Sequence, residues 1–166
     1  MFILFQLIGA SFGAFLVWLF YRDHFNQTED AGAILACFST GPAIRKPFSN
    51  IISEIIGTFV LVFVILYIAE PSLELEGVGA PKIGLGTLGA LPVALLVTAI
   101  GLSLGGTTGY AINPARDLPP RMMHTLLPMK HKGNSDWKYS WIPVSGPVIG
   151  AVIAALLFIL HNQLFG

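Results

Sequence analysis

Charged residues are scarce in this chain, and the two signs cancel. Nine Lys and Arg residues oppose nine Asp and Glu residues, so the formal net charge at pH 7 is zero. Only 11% of the 166 residues are charged, against about 25% in a typical soluble domain, whereas 54% are hydrophobic. This balance excludes a basic surface for nucleic acid and an acidic field that would attract cations. The composition predicts an integral membrane protein whose main partner is lipid.

Cysteine and metal-ligand clusters are also lacking. The single cysteine, Cys37, excludes an intrachain disulfide and a cysteine-rich metal site. The histidines are scattered without metal-ligand spacing, and we expect them in loops or at helix interfaces: His24, His124, His131 and His161. The sequence contains neither a catalytic arrangement of serine, cysteine or carboxylates nor a phosphate-binding glycine loop. It therefore predicts no metal, no cofactor and no enzymatic step.

Four apolar runs approach the ~20 residues that a membrane-spanning helix requires. They cover residues of about 2–20, 51–69, 85–104 and 141–160. In three of them, small residues recur at intervals of four, which allows helix backbones to approach closely in lipid. These are Gly9 and Gly13, then Gly86, Ala90 and Ala94, then Gly146, Gly150 and Ala154. We predict an all-α membrane protein, a helical bundle that forms one domain over residues 1–166.

A glycine-rich run inside apolar sequence leads into a short helix. Residues 105–112 hold three glycines and two threonines among the first five, so they cannot continue the preceding helix. Asn113 is a good N-cap and Pro114 suits the first helical position, which predicts a half-helix over about 113–124. Irregular backbone at membrane depth is tolerated only when it is buried in protein or lines a water-filled cavity. The run therefore predicts a re-entrant segment beside a polar pathway.

Two charged side chains near this segment have more than one interpretation. Arg116 lies on the same face of the short helix as Asn113, where its guanidinium could bind hydroxyl groups and repel cations. Alternatively, it forms a structural salt bridge with Asp117 or Glu54. Glu54 lies only one turn inside its apolar run, so it is either a solvated carboxylate at a helix end or a buried acceptor for the re-entrant segment.

The segment from Asn113 to Asp117 resembles the second Asn-Pro-Ala box of the aquaporin superfamily, in the form typical of its glycerol-conducting branch. The likeness extends through Gly-Tyr-Ala-Ile before the box and through Asp117 and Arg121 after it. Similarity runs from about Phe2 to Phe158. The resemblance implies an aquaporin-like bundle with four spans and one re-entrant half-helix in this chain, lying in the cell membrane as a multi-pass protein.

The resemblance also implies roles for individual residues. Asn113, Pro114, Ala115 and Asp117 would belong to the pore, and Glu54 would support the re-entrant loop. The narrowest constriction would include Gly101, Tyr110 and Arg116, although the glycerol branch usually has phenylalanine at the position of Tyr110. The implied function is a passive channel for glycerol, other small polyols and water, in a tetramer.

The resemblance implies that only part of the channel is present. The family has two inverted repeats with one Asn-Pro-Ala box each, whereas this sequence has one box and begins at the family's third span. Alternatives are a non-conducting membrane fragment that associates with full-length homologues, a fragment of another transporter, or a membrane enzyme. Lys and Arg are concentrated in the connections after the first span and after the half-helix. The positive-inside rule places these connections in the cytoplasm, whereas the resemblance, which we follow, places them outside.

Overall fold

The computed structural model describes residues 1–68 and 84–165, and within these ranges the chain is helical, without strands. The fold class is therefore as predicted. Helices α1 to α4 precede the gap, and a short 3₁₀-helix opens the second range before α5 to α7. Their bounds are α1 Phe2–Phe20, α2 Arg22–Gln27, α3 Ala31–Ala36, α4 Pro47–Tyr67, the 3₁₀-helix Gly86–Ala90, α5 Leu91–Leu104, α6 Pro114–Leu126 and α7 Ile142–Phe165.

Within the described ranges, three helices are long and apolar enough to cross a membrane, namely α1, α4 and α7. Helix α4 begins at Pro47, four residues before the predicted span, because proline is well suited to the first turn. The predicted end of that span, Ala69, lies outside the described residues. Helix α7 continues to Phe165, past the predicted end at residue 160, and its last turn includes the polar residues Asn162 and Gln163.

The span predicted over residues 85–104 has a different form. Gly86 has a positive φ of 55°, and the segment Gly86–Ala90 is a 3₁₀-helix. Pro92 lies in the first turn of α5, where its missing N–H costs no hydrogen bond, and this favours an α-helix that begins at Leu91. Helix α5 has 14 residues, or about 21 Å of length. The α-helical part alone is shorter than the hydrocarbon core of ~30 Å.

The polar connection after α1 is folded, which the sequence did not predict. Its helix α3 is capped by Asp30, whose Oδ1 accepts hydrogen bonds from the amides of Gly32 at 2.8 Å and Ala33 at 3.1 Å. Apolar side chains of this connection join a buried cluster with α1 and the segment after α6. The cluster contains Ala14, Trp18, Phe25, Ile34, Phe38, Leu127 and Met129. The connection thus packs over one end of α1 and α6.

Small residues bring α4 and α7 together. A Cβ atom at Gly146 would lie 2.6 Å from the Cβ of Glu54, and one at Gly150 would lie 2.4 Å from the carbonyl oxygen of Ile55. Ala154 continues the stripe and is fully buried. The close packing predicted for this stripe is confirmed. In contrast, a Cβ at Gly9 or Gly13 would meet no atom of the described residues within 4 Å, so that pair makes no helix contact here.

Candidate functional site

The irregular run between α5 and α6 contains backbone that most side chains avoid. Gly109 has a φ of 77°, which glycine adopts without strain. Tyr110 and Ile112 also have positive φ values, of 39° and 42°. Such conformations cost about 1–3 kcal/mol each in residues with a side chain, so the surrounding structure must hold them.

Glu54 on α4 holds the end of this run. Its Oε1 accepts a hydrogen bond from the amide of Ala111 at 3.0 Å, and its Oε2 accepts one from the amide of Ile112 at 2.8 Å. The side chain is only 1% exposed, so it is not a solvated carboxylate at a helix end. One turn later, Gly57 leaves room for Ile112, because a Cβ there would lie 3.0 Å from Ile112 Cγ2. The Glu54 carboxylate therefore satisfies the amides of Ala111 and Ile112.

The start of the run is bound to the connection before α4. The amide of Ala43 donates to the carbonyl of Thr107 at 3.0 Å, and the amide of Gly109 donates to the carbonyl of Gly105 at 2.9 Å. A Cβ at Gly109 would lie 3.4 Å from Thr40. The re-entrant backbone is thus held from two sides, by α4 and by residues 40–43.

Helix α6 begins as the sequence predicts. Asn113 is its N-cap, with Oδ1 accepting a hydrogen bond from the amide of Ala115 at 2.8 Å, and Pro114 occupies the first turn. The helix ends at Leu126, two residues beyond the predicted half-helix. The cap uses one of the free amides at this helix end, and the macrodipole adds partial positive charge there.

One side of this region is open. The side chains of Asn113 and Arg116 are exposed, and Tyr110 is 38% exposed. Gly101 on α5 lies against the Tyr110 ring, because a Cβ at Gly101 would be 3.1 Å from Tyr110 Cζ. The structure therefore brings Gly101 and Tyr110 into contact. Tyr110 precedes Arg116 by six residues in the chain. Across residues 1–68 and 84–165, Arg116 forms no ion pair with Asp117 or Glu54.

Asp117 differs from the expectation that it belongs to the pore. Its side chain is 0% exposed and faces away from the open side. Asp117 Oδ2 accepts hydrogen bonds from the amide and the hydroxyl of Thr40, both at 2.7 Å, and Oδ1 accepts one from Arg121 Nε at 2.9 Å. The expectation fails because Asp117 is held by Thr40, in the connection before α4, and by Arg121, one turn later on α6.

Arg121 is the centre of a buried polar network. It is 0% exposed, and all five of its N–H groups have acceptors: Asp117, Thr40, Ser135 and Asp136. The Nη2 group donates to the carbonyl of Thr40 at 2.8 Å, and Nη1 donates to the carbonyls of Ser135 at 2.8 Å and Asp136 at 3.1 Å. Arg121 thereby joins α6 to the connections before α4 and before α7.

Several members of this network were missed or misplaced by sequence reasoning. His124 is 0% exposed, with Nδ1 2.7 Å from Ser135 Oγ and its ring 5.4 Å from that of Phe38, so it lies at a packed helix interface, one of the two places expected for it. It lies three residues after Arg121, on the buried face of α6. Nothing in the sequence marks Thr40 and Ser135, which lie far from Asp117 along the chain.

Tyr139 is buried beside this network. It is 2% exposed, and its ring lies 5.4 Å from the guanidinium of Arg45, which itself pairs with Asp136. Burial raises the pKa of the Tyr139 hydroxyl well above its ordinary value, and the charges of Glu54 and Asp117 raise it further. Tyr139 therefore stays neutral. Among the described residues, no group of three His, Cys, Asp or Glu side chains could hold a metal ion.

Comparisons with known proteins agree with this architecture. Residues 1–158 match the family model described as Major intrinsic protein. The chain is 54% identical over 159 residues to the glycerol uptake facilitator protein of Streptococcus pneumoniae, covering 96% of this chain and 63% of that protein. It is 50% identical over 160 residues to the probable glycerol uptake facilitator protein of Thermotoga maritima, covering 96% and 62%.

A solved structure shows the same fold. The X-ray structure of the aquaglyceroporin from Plasmodium falciparum matches with a TM-score of 0.67 and 25% identity, covering 92% of this chain and 59% of that one. The chain thus spans a little under two thirds of these relatives. The family inferred from the Asn-Pro-Ala box is confirmed, and the chain is an integral membrane protein with several spans. It belongs to the major intrinsic protein family, a family of membrane channels.

Proposed function

We propose that this chain supplies one wall of a passive channel for glycerol, other small uncharged solutes and water. The observation that carries the proposal is the open side of α6. Asn113 and Arg116 are exposed there, three and six residues after Tyr110, whose ring packs on Gly101, whereas Asp117 and Arg121 of the same helix are buried and hydrogen-bonded. No chemical step is involved.

The two kinds of surface suit a polyol. The ring of Tyr110 offers an apolar wall for the carbon atoms of glycerol, and the guanidinium of Arg116 can donate to two neighbouring hydroxyls. A fixed positive charge also repels cations, including hydronium. We assign Gly101, Tyr110 and Arg116 to the selectivity filter, and Asn113, Pro114 and Ala115 to the pore wall. Glu54 and Asp117 hold this wall in place from behind.

The names of the relatives support glycerol as the solute, since those of Streptococcus pneumoniae and Thermotoga maritima are called glycerol uptake facilitators. Because the chain covers 63% and 62% of them, transport is a property that we propose for the whole channel. We also propose that the channel is a tetramer in the cell membrane.

A chimera tests the proposal directly. The 159 matching residues of the pneumococcal facilitator are replaced by those of this chain, and the product is reconstituted in vesicles. Stopped-flow light scattering then measures swelling in a glycerol gradient and shrinkage in a sucrose gradient. We expect both fluxes to exceed those of protein-free vesicles. Water flux without glycerol flux would contradict the proposed solute.

Gly101 gives a sharper test of the filter. A Cβ at this position would lie 3.1 Å from the Tyr110 ring, so Gly101→Ala must displace the ring toward the open side. We expect a loss of glycerol flux larger than the loss of water flux. Gly9→Ala is the matched control, because a Cβ at Gly9 has open space around it. Equal losses of the two fluxes, or an equal effect of both variants, would remove Gly101 from the filter.

The same open side suggests a second candidate function. Polar groups at membrane depth need cover, and Asn113 and Arg116 are exposed in this chain. The chain could be a non-conducting subunit that binds a full-length homologue through this side. Three results together would favour this candidate. The chain would co-purify with the pneumococcal facilitator, an Arg116→Leu variant would lose this binding, and the chimera would show no glycerol flux.

A further inference from the structure

Three cations meet in one surface cavity at the end of α1. The cavity has a volume of about 560 Å³ and is lined by Arg22, Asn26, Pro128, Met129, Lys130 and Lys132. The cations come from the two connections in which positive charge is concentrated, more than 100 residues apart in the sequence. Among the described residues, no acidic side chain lines the cavity. The pore proposed above does not use this charge.

The cationic groups are held by specific contacts. The guanidinium of Arg22 lies 5.8 Å from the ring centroid of Trp18, within cation–π range, and Trp18 Nε1 donates to the carbonyl of Pro128 at 3.2 Å. Lys132 Nζ donates to the carbonyls of Thr125 and Leu127, both at 2.7 Å, which leaves its third proton available. These contacts fix two of the three charges at the cavity.

Nearby acidic groups do not neutralise the cavity. Asp30 caps α3 through the amides of Gly32 and Ala33. Asp23 follows Arg22 in the chain but is not among the lining residues. The positive charge of the cavity therefore favours the binding of an anion.

The position of the cavity indicates which anion it binds. Arg22 comes two residues after Phe20, the last residue of a helix that can span the membrane, and Phe20 is 81% exposed. Leu126, just before the cavity-lining segment, is 71% exposed. Trp18 and Tyr21 lie at the end of this helix, and aromatic side chains at the ends of spanning helices are typical of the membrane–water interface. The cations thus lie at headgroup depth, directly beside apolar surface.

We propose that this basic cavity binds the headgroup phosphate of an anionic phospholipid, with the acyl chains along the exposed apolar side of α1. A free phosphate ion would contact only the cations and leave this apolar surface unused. Three cations also favour a headgroup with net negative charge over a zwitterionic one.

Native mass spectrometry of the full chain tests the site, with phosphatidylglycerol and phosphatidylcholine titrated in detergent. We expect phosphatidylglycerol to bind more tightly, and Arg22→Gln and Lys130→Gln each to weaken it about fivefold, as expected for one charge near a membrane surface. Arg22→Lys should restore most of the binding. Lys138→Gln is the matched control, since Lys138 is exposed in the same connection but does not line the cavity.

Three results would overturn the proposal. Phosphatidylcholine could bind as well as phosphatidylglycerol, or Lys138→Gln could weaken binding as much as Lys130→Gln, which would indicate bulk charge alone. In a third experiment, inorganic phosphate is titrated calorimetrically into the chain in phosphatidylcholine. If phosphate binds as tightly as phosphatidylglycerol, and if this binding depends on Lys130, the ligand of the cavity is a free anion. Far-UV circular dichroism checks that each variant keeps its helix content. Lys130→Gln decides the outcome if Arg22→Gln misfolds, because the Lys130 side chain is exposed.

Discussion

Helix α6 carries two arginines whose surroundings are opposite. Arg121 is fully buried, and every donor of its guanidinium has an acceptor, whereas Arg116, five residues earlier, is exposed and forms no ion pair within the described ranges. The buried face, with Asp117, Arg121 and His124, joins two distant connections. The exposed side, with Asn113 and Arg116, faces away from this network. The same residue type therefore stabilises the fold on one side of the helix and is available to a solute on the other.

The largest effect is expected on the buried face. Arg121→Met leaves Asp117 as an unpaired buried charge, and removing one partner of such a pair costs about 3–5 kcal/mol. The free energy of unfolding, measured by titration with dodecyl sulfate, should fall by this amount. The double variant Asp117→Asn, Arg121→Met should recover part of the loss because no charge remains unpaired. A single variant as stable as the parent would contradict the structural role of Arg121.

A smaller loss is expected at Glu54. In Glu54→Gln one oxygen still accepts a hydrogen bond, but the NH₂ group meets the other backbone amide and leaves it unsatisfied, at a cost of about 1–3 kcal/mol. Ser53→Ala is the control, since within the described part of the chain Ser53 bonds only in its own helix, to the carbonyl of Ser49. The same dodecyl sulfate titration should separate the two variants. Equal stabilities would mean that Glu54 does not hold the re-entrant backbone.

The cap at the open end of α6 should contribute less. Asn113→Ala removes the acceptor for the amide of Ala115, and losing such a cap costs about 1 kcal/mol. Asn113→Asp keeps an acceptor at the same place, so its stability should stay close to that of the parent. If Asn113→Asp is destabilised as much as Asn113→Ala, capping is not the reason.

The smallest stability effect is expected at Arg116, together with the clearest change in selectivity. Arg116→Gln removes an exposed charge that has no ion-pair partner among residues 1–68 and 84–165, so the free energy of unfolding should change by less than about 0.5 kcal/mol. In the chimera, this variant should still pass glycerol but should also pass protons, which a pH-sensitive dye inside the vesicles detects. Destabilisation comparable to that of Arg121→Met would show that the two arginines do not differ as described.

Sequence reasoning succeeded where the cause is local. The start of α6 follows from Asn113 and Pro114, which act on the amides of the next few residues. The contact of α7 with α4 follows from small residues at Gly146, Gly150 and Ala154, because a four-residue repeat keeps one face of a helix free of bulk.

It failed where the cause is distant. The place of Asp117 depends on Thr40, 77 residues away, and that of Arg121 on the same residue at 81 residues. No pattern within one segment encodes such pairings, so Asp117 was grouped with its neighbours in the box. The prediction of a regular α-helix over 85–104 is wrong for a local reason, because Pro92 favours a helix that begins at Leu91.

The hydrogen bonds of Glu54 have a consequence for how the protein is made. Their donors lie 57 and 58 residues further along the chain, so α4 is complete before either amide exists. At ~5–20 residues per second, a ribosome needs about 3–11 s to synthesise the intervening segment. A carboxylate inside a newly inserted helix is unfavourable by a few kcal/mol. During this interval α4 must keep Glu54 near the interface, and synthesis of the re-entrant segment then draws it into its final position.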